Sequence, residues 1–400
     1  MSLSRSPRFI VLLVFVTVLG PLAMQMFLPA LPAIQKDFAT TAGTAQLALT
    51  LAMVAMGVAT LVFGPVSDRF GRKPVLLAGI AFYIAGSIVV AVSETVPLLL
   101  VGRVVQAGGA SAGIVLARAM ARDVFGFAQS IRVVSYLTMA MVVAPTLAPA
   151  IGGVVADSLG WRAAFWIMCA VGAVALVGVA LGLAETNPAR APGGWRGLAE
   201  GCRRLIVSRR YLGYSLLSTA SFCVFFSFLA AAPYLMAEVL HRPARDYGFW
   251  FMPVAGIFIF GTWLSTRFLD RFGADRLIRF GTFATFGIVA AVVPLYLVLP
   301  LSPALLFLPA VAFSLAQGFV IPNCQASAVN VEPRYAGAGS GLVGFIGMAA
   351  SAVVAQIVAE LADGTVWPMA WFGLGAGAVG VLLLPLIRKA PDAAPASDPG

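Results

Sequence analysis

The sequence predicts an all-helical membrane protein with twelve transmembrane helices arranged in two six-helix halves. Of its 400 residues, 60% are hydrophobic and only 10% are charged, whereas a soluble domain carries about 25% charged residues. The apolar residues fall into about a dozen blocks of roughly 20 residues, the length that crosses ~30 Å of hydrocarbon. This composition excludes a soluble enzyme.

The twelve spans are predicted at residues 8–29, 45–66, 74–93, 96–118, 131–155, 162–183, 211–236, 247–268, 277–299, 302–324, 337–359 and 366–387. The first block resembles a signal peptide, but its apolar run is long and continues to Pro32 without a clear cleavage site. It is therefore counted as a span. An even number of spans places both termini on one side of the membrane.

The net charge of +10 follows from how the basic residues distribute across the membrane. With the N-terminus inside, twenty-one Lys and Arg lie in inner loops and tails, and four lie outside. This asymmetry is the positive-inside rule. It predicts a multi-pass protein of the bacterial inner membrane with cytoplasmic termini, and it requires no nucleic acid partner. The one basic residue left over is Arg103, inside the fourth span.

Residues suited to metal or cofactor chemistry are scarce. The four cysteines lie far apart without a CxxC pair, and the single histidine, His241, lies in a polar loop. No G-x-x-x-x-G-K-[ST] motif for cradling phosphates occurs. The sequence therefore predicts no metal site, no cofactor and no enzymatic activity.

A long polar segment divides the chain into two halves. The predicted organisation is an N-terminal six-helix half at 1–184, a cytoplasmic linker at 185–210, a C-terminal six-helix half at 211–388 and a disordered tail at 389–400. An internal repeat supports the division, because the tetrapeptide Asp-Arg-Phe-Gly at 68–71 recurs 202 residues later at 270–273. Both copies fall in the equivalent loop of their half.

The loop between spans 2 and 3 combines a tight turn with several charges. Its candidate gating residues are Gly64, Asp68, Arg69, Gly71 and Arg72. The glycines permit a turn and close helix approach, and Asp68 near a helix end can pair with Arg or Lys and hold one conformation closed. The alternative is a solvated loop that obeys the positive-inside rule. The pattern resembles the same loop of the major facilitator superfamily, which implies the twelve-helix transporter fold of that family.

Arg103 lies within the hydrocarbon region, where an arginine costs at least ~2.5 to 3.5 kcal/mol by insertion scales. Gln106 lies one turn away on the same helix face, so the pair can present a positive charge and an amide to the bundle interior. The alternative is that Arg103 snorkels to the membrane surface. The pair matches the fourth-span arginine motif of the superfamily, and this resemblance implies a role in proton coupling.

Span 5 contains Pro145, Pro149, Gly152 and Gly153. Prolines remove helix hydrogen bonds and glycines let a neighbouring helix approach, which favours a kinked, closely packed helix that acts as a pivot. The alternative is simple helix packing. The segment resembles the fifth-span motif of drug antiporters in the superfamily, and this resemblance favours export over uptake.

The end of span 1, residues 24–32, resembles the first-span signature of the bicyclomycin and chloramphenicol resistance (Bcr/CflA) group of drug exporters. That group commonly has an acidic residue where this chain has Gln25, whose amide cannot take up and release a proton. All sixteen Asp and Glu fall in loops, tails or span edges. A transported proton would therefore need an edge carboxylate, such as Asp37, Glu238 or Asp123, or would travel with the substrate.

Arg103 with Gln25 and Gln106 is expected to bind a neutral or anionic polar drug, because a fixed positive charge repels cations. The intramembrane amides Gln317 and Asn323 are expected to line a water-filled path in the second half. The predicted function is proton-coupled efflux of small amphiphilic drugs, phenicol-like compounds among them, by a monomer in the lipid bilayer. The alternatives are a same-fold transporter of a sugar, anion or amino acid, an uncoupled facilitator, or a membrane sensor.

Overall fold

The computed structural model describes residues 7–187 and 194–387. These residues form twelve helical segments long and apolar enough to cross a membrane, and they contain no β-strand. Spans 1 to 12 are Pro7–Asp37, Ala42–Phe70, Arg72–Ala91, Val96–Gly126, Val133–Leu159, Trp161–Gly182, Arg209–Val239, Ala244–Phe272, Ala274–Val298, Pro303–Val331, Ala336–Glu360 and Trp367–Ile387. The all-helical fold and the number of spans are confirmed. The predicted tail at 389–400 and residues 188–193 of the predicted linker lie outside the described residues.

Several spans extend beyond their predicted ends because polar residues continue the helix past the apolar block. Span 2 runs to Phe70, so Asp68 and Arg69 lie in its last turn and not in a loop. Gly71 then turns the chain into span 3 with a φ of 97°, and its counterpart in the repeat, Gly273, has a φ of 75°. Glycine adopts such angles without steric cost. The sequence repeat therefore has the same backbone turn in both halves.

Spans 4 and 5 are two helices that meet at a sharp kink. The backbone leaves the helical conformation at Gly126, whose φ is 69° and ψ is 177°. Glycine adopts this conformation, which side chains disfavour, without steric cost, and it ends span 4 here.

The predicted linker contains a helix of its own, Trp195–Val207, called here the linker helix. Leu198, Cys202 and Leu205 recur at the spacing of one helix face, and Leu205 is buried against the second half. Gly201 lies against Ala338 of span 11. This helix was not predicted because the prolines and glycines near the start of the polar segment indicated a linker without regular structure.

The bundle has two ends, named here by their connections. The linker end carries the Gly71 and Gly273 turns and the linker helix, and the far end carries the connections that follow spans 1, 5, 7 and 11. The first half, spans 1–6, meets the second half, spans 7–12, along spans 2 and 11 and along spans 5 and 8. At the far end, Gln356 Nε2 donates to the carbonyl of Gly43 (2.9 Å) and the Tyr234 hydroxyl donates to the carbonyl of Ala42 (3.3 Å). The two halves are thus joined at the far end.

Candidate functional site

Span 1 is interrupted inside the first half. Its first helix ends at Gln25, a 3₁₀ turn covers Leu28–Ala30, and a second helix covers Leu31–Asp37. Pro29 has no N–H, so the carbonyl of Gln25 lacks its usual donor four residues later. An unsatisfied backbone group at membrane depth costs several kcal/mol, so the break needs polar partners from neighbouring spans.

Arg103 of span 4 lies against this break. Its Nη1 donates to the carbonyl of Ala23 in the last turn of the first helix (2.8 Å), and its Nε donates to the carbonyl of Ala48 in span 2 (3.1 Å). The guanidinium carbon lies 3.9 Å from the ring centroid of Phe27, a cation–π distance. The side chain is 0% exposed, which excludes the snorkelling alternative. A cation at the end of a helix is favoured by the helix dipole, and this one ties together spans 1, 2 and 4.

Gln106 and Gln25 complete the group around Arg103. The Oε1 of Gln106 accepts a hydrogen bond from Arg103 Nη1, and its Nε2 donates to Ser87 Oγ of span 3 (2.8 Å). Gln25 is buried, and along the chain it lies between Ala23 and Phe27, both of which Arg103 contacts. Across residues 7–187 and 194–387, the Nη2 of Arg103 and the Oε1 of Gln25 have no hydrogen-bond partner. One donor and one acceptor of this group therefore suit a hydroxyl, amide or carbonyl of a ligand.

One face of span 1 carries a stripe of exposed and partly exposed residues that leads toward Gln25. Val11, Phe15, Val18 and Leu22 recur at helical spacing and are at least partly exposed. The exposed fraction is 64% at Val11, near the linker end, and 8% at Gln25. The other faces of span 1 pack on spans 2, 4 and 6. This accessible stripe therefore runs from the linker end toward the break.

The charges at the linker end form a network around Arg72. Its Nη1 lies 2.7 Å from Asp68 Oδ1, and its Nε lies 3.0 Å from Asp123 Oδ2 of span 4. Arg69 instead lies over the neighbouring phenylalanine ring and makes no ion pair within the described part of the chain. Gly64 has open space where a Cβ would lie, so close helix packing does not explain that glycine. Of the predicted gating residues of this loop, Asp68 and Arg72 form an ion pair with each other.

Glu185 also belongs to this network, although it was not among the predicted site residues. Its carboxylate accepts the backbone N–H groups of Arg72 (2.9 Å) and Lys73 (3.1 Å) at the start of span 3, and those of Thr186 and Asn187. Burial raises the pKa of this carboxyl, but the four donors outweigh burial and hold the pKa of Glu185 below its usual value. The Glu185 carboxylate thus caps span 3 and joins it to the end of span 6.

Glu185→Gln is expected to lower the thermal stability of the protein at neutral pH. Because folding lowers the pKa of Glu185, its contribution is present above the unfolded pKa and is lost as the pH falls through the lowered folded value, below about 4.3. Melting temperatures of the purified protein at pH 7 and pH 4 measure this, with the exposed Glu94→Gln as control. Equal melting temperatures of wild type and Glu185→Gln at pH 7 would contradict the capping role.

The glycines of span 5 lie at two different close contacts. A Cβ on Gly152 would meet the carbonyl of Met26, at the break in span 1 of the same half. A Cβ on Gly153 would meet the backbone of Ala244 and Arg245, at the start of span 8 in the other half. Both positions exclude side chains for steric reasons. Adjacent glycines therefore serve packing within a half and contact between halves.

Asp157 reinforces the contact between the halves. Its Oδ1 accepts the backbone N–H of Ala244 (3.0 Å) and its Oδ2 accepts that of Arg245 (2.9 Å), so the carboxylate caps span 8 from the opposite half. Asp157 was not among the predicted site residues. The available signal was its spacing, since it lies four residues after Gly153 on the same helix face.

Gln317 and Asn323 lie apart from the Arg103 group, inside the second half. Gln317 Nε2 donates to the carbonyl of Ser221 in span 7 (2.9 Å). Asn323 Nδ2 donates to Ser265 Oγ of span 8 (2.7 Å) and to the carbonyl of Phe319 (2.8 Å). Both side chains are buried. The structure places these amides in helix-to-helix contacts, whereas the sequence predicted that they line a water-filled path.

Gln317→Leu is expected to cost about 0.5–1 kcal/mol of stability and to leave transport intact, because it removes one interhelical hydrogen bond in the membrane. Gln25→Leu is the matched variant in the first half and is expected to reduce transport, because it removes the unpaired acceptor beside Arg103. Thermal melts and drug susceptibility of cells expressing each variant measure the two effects. Loss of transport in Gln317→Leu at normal stability would return Gln317 to the substrate path.

The acidic residues that the structure describes all lie in connections, in the linker helix or within three residues of a span end. Of the three edge carboxylates considered for the proton, Asp37 lies 2.6 Å from Arg162 and Asp123 is paired with Arg72. Glu238 is exposed at the far end. The charge deepest in the first half is thus that of Arg103.

Known proteins resemble this chain along most of its length. A family model described as Major Facilitator Superfamily matches residues 13–355. The Bicyclomycin resistance protein homolog of Haemophilus influenzae is 30% identical over 374 residues, which cover 92% of each chain. The Chloramphenicol resistance protein of Pseudomonas aeruginosa is 33% identical over 266 residues, 66% of this chain and 62% of that protein. The crystal structure of a D-xylose-proton symporter shares the fold with a TM-score of 0.72 at 15% identity, covering 96% of this chain and 97% of that one.

Proposed function

The chain belongs to the major facilitator superfamily and to its Bcr/CflA-like group, and from this premise we propose that it exports small amphiphilic drugs, phenicol-like compounds among them, in exchange for protons. It is a multi-pass membrane transporter and not an enzyme. The proposal places it as a monomer in a bacterial inner membrane with cytoplasmic termini. The observation that carries the proposal is the break in span 1, where an exposed stripe ends at Gln25 beside Arg103.

The proposed transport cycle opens the two ends of the bundle in turn. In the structure, hydrogen bonds join the halves at the far end through Gln356, Tyr234 and Asp157. Substrate would enter from the linker end along span 1. Opening of the far end would separate span 5 from span 8 at Gly153 and release the drug on the opposite side.

The electrostatics of the first half favour a neutral or anionic substrate. Arg103 is a charge buried among aromatic rings, and no carboxylate of the described residues lies deep in a span to balance it. In a medium of low dielectric constant an unbalanced cation repels another cation strongly. We therefore propose that the substrates are phenicol-like neutral molecules, which carry hydroxyl and amide groups, in preference to lipophilic cations.

The proposed site of proton uptake is a carboxylate at a span end. Asp157 is well placed, because its charge caps span 8 across the contact between the halves. A proton would bind Asp157 from outside while the far end is open. Closing of that end would restore the two N–H donors to the carboxylate and favour loss of the proton, as an exchange of drug for proton requires. Asp37, Glu238 and Asp123 are the alternatives.

A second candidate is an uncoupled facilitator of the same fold. It is favoured by one observation, which is the amide of Gln25 where the group commonly has an acidic residue. The alternative substrate is a metabolite, namely a sugar, an anion or an amino acid.

The test is uptake of labelled chloramphenicol into everted membrane vesicles with an acid interior. Coupled export predicts uptake that a protonophore abolishes and that Asp157→Asn reduces. Uptake that is indifferent to the pH gradient would instead identify a facilitator. Absence of uptake for both phenicols and bicyclomycin would contradict the proposed drug specificity.

A further inference from the structure

An apolar cleft of about 550 Å³ lies in the outer face of the second half, away from the Arg103 group. We call it the span 9 cleft. Residues of three spans line it, among them Phe268, Phe272, Arg276, Phe280, Ile288 and Phe319. Phe280 is 61% exposed, so the cleft opens to the surroundings of the bundle, which in a membrane are lipid chains.

The cleft has the length of one lipid leaflet. Arg276 and Ile288, at its two ends on span 9, are twelve residues apart, which corresponds to about 18 Å along a helix. The hydrocarbon core is ~30 Å thick, so a single leaflet supplies roughly half of that. The polar end of the cleft lies at the linker end of the bundle, where lipid headgroups of that leaflet would lie.

The mouth of the cleft carries unbalanced positive charge. Arg276 lines the cleft, and the guanidinium of Arg271 lies 5.3 Å from the ring centroid of Phe272. Neither arginine forms an ion pair within the described ranges 7–187 and 194–387. The nearby Asp275 accepts the hydroxyl of Tyr214 in span 7 (2.6 Å), and Asp270 is exposed. Arg267 and Arg279 add further positive charge at the same end, so basic residues outnumber acidic ones there.

The two halves differ in the basic residues that follow their glycine turns, whereas Arg69 and its counterpart Arg271 are alike in making no ion pair within the described residues. In the first half, Arg72 is held by Asp68 and Asp123, and Lys73 Nζ donates to the carbonyl of Ala180. Those partners occupy the basic side chains that follow Gly71. After Gly273, Arg276 has no such ion pair with any residue that the structure describes. Arg72 and Lys73 thus hold elements of the first half together, whereas Arg276 has no such structural role in the described part of the second half.

We propose that the span 9 cleft binds one anionic phospholipid, with an acyl chain along the phenylalanine rings and the phosphate at Arg271 and Arg276. The arginines at the mouth of the cleft match an anionic headgroup, and the length and apolar lining of the cleft match an acyl chain. A zwitterionic lipid would gain the apolar contact but less from the two arginines. Each arginine near a headgroup is expected to contribute about fivefold in affinity for the anionic lipid.

The experiment is native mass spectrometry of the full chain in mild detergent, titrated with dioleoylphosphatidylglycerol and, separately, dioleoylphosphatidylcholine. Wild type is expected to bind one phosphatidylglycerol in preference. The double variant Arg271→Gln with Arg276→Gln is expected to lose about tenfold or more of that affinity and to keep its phosphatidylcholine affinity. Ala284→Trp, which fills the cleft, is expected to weaken both lipids.

Two variants serve as matched controls. Arg69→Gln removes the repeat counterpart of Arg271, which lies over Phe70 at the same 5.3 Å, and Ala173→Trp adds a ring at an exposed position of span 6. Neither is expected to change lipid binding. Unchanged phosphatidylglycerol affinity in the double variant, or dimers that Ala284→Trp abolishes, would overturn the proposal. The readout needs no transport activity, so it is independent of the proposed drug specificity.

Discussion

Arg103→Ala is expected to lower transport about tenfold or more while leaving the amount of protein in the membrane unchanged. The variant loses the hydrogen bonds that Arg103 donates to the carbonyls of Ala23 and Ala48 and to the amide of Gln106. Each buried polar group left unpaired costs about 1–3 kcal/mol. Spans 1, 2 and 4 therefore lose their common tie at the break. Insertion should not suffer, because the substitution removes a charge from the hydrocarbon region.

Arg103→Lys separates charge from geometry. Lysine keeps the positive charge, but its single ammonium lacks the planar fork that reaches two carbonyls and stacks on an aromatic ring. An intermediate loss of transport is expected. Arg122→Ala, at an exposed position of the same span, is the control and should transport normally. Vesicle uptake normalised to protein amount measures all three, and wild-type uptake by Arg103→Ala would show that the guanidinium has no part in transport.

The fold was predictable because its determinants are local in the sequence. Block length and the distribution of Lys and Arg suffice to count spans, and the twelve spans are confirmed. The position of Arg103 was predictable for a related reason, since a charge within an apolar block is costly enough to need a partner. Helical spacing placed Gln106 on the same face as Arg103, and the structure shows that the two side chains share a hydrogen bond.

The contacts that join elements were harder to predict because they depend on packing. Asp157 binds backbone groups 87 and 88 residues further along the chain, and Glu185 binds N–H groups more than 100 residues earlier. Backbone donors carry no sequence signature. Gln317 shows the converse, since an amide in a span predicts a polar partner but not whether that partner is a carbonyl of the next helix or a ligand.

Gly153→Val is expected to shift the protein away from the arrangement in which the far end is closed. A side chain at Gly153 would collide with the backbone of Ala244 and Arg245 in the opposite half. Overpacking costs about 1–3 kcal/mol, and here it applies only while spans 5 and 8 are in contact. Since about 1.4 kcal/mol changes a ratio of populations tenfold, transport should fall by about tenfold as one half of the cycle becomes unfavourable.

Gly152→Val separates this effect from a general loss of packing. Gly152 contacts the carbonyl of Met26 within its own half, so its substitution should lower stability in every state of the cycle and not shift the balance between them. Spin labels at Ser158 and Arg242, in a background without the four native cysteines, report the distance across the far end. Gly153→Val should lengthen it, whereas Gly152→Val and Gly256→Ala, which has open space for a Cβ, should not. Because neighbouring residues on a helix point about 100° apart, a change confined to Gly153 would identify its face of span 5 as the surface on which the halves separate.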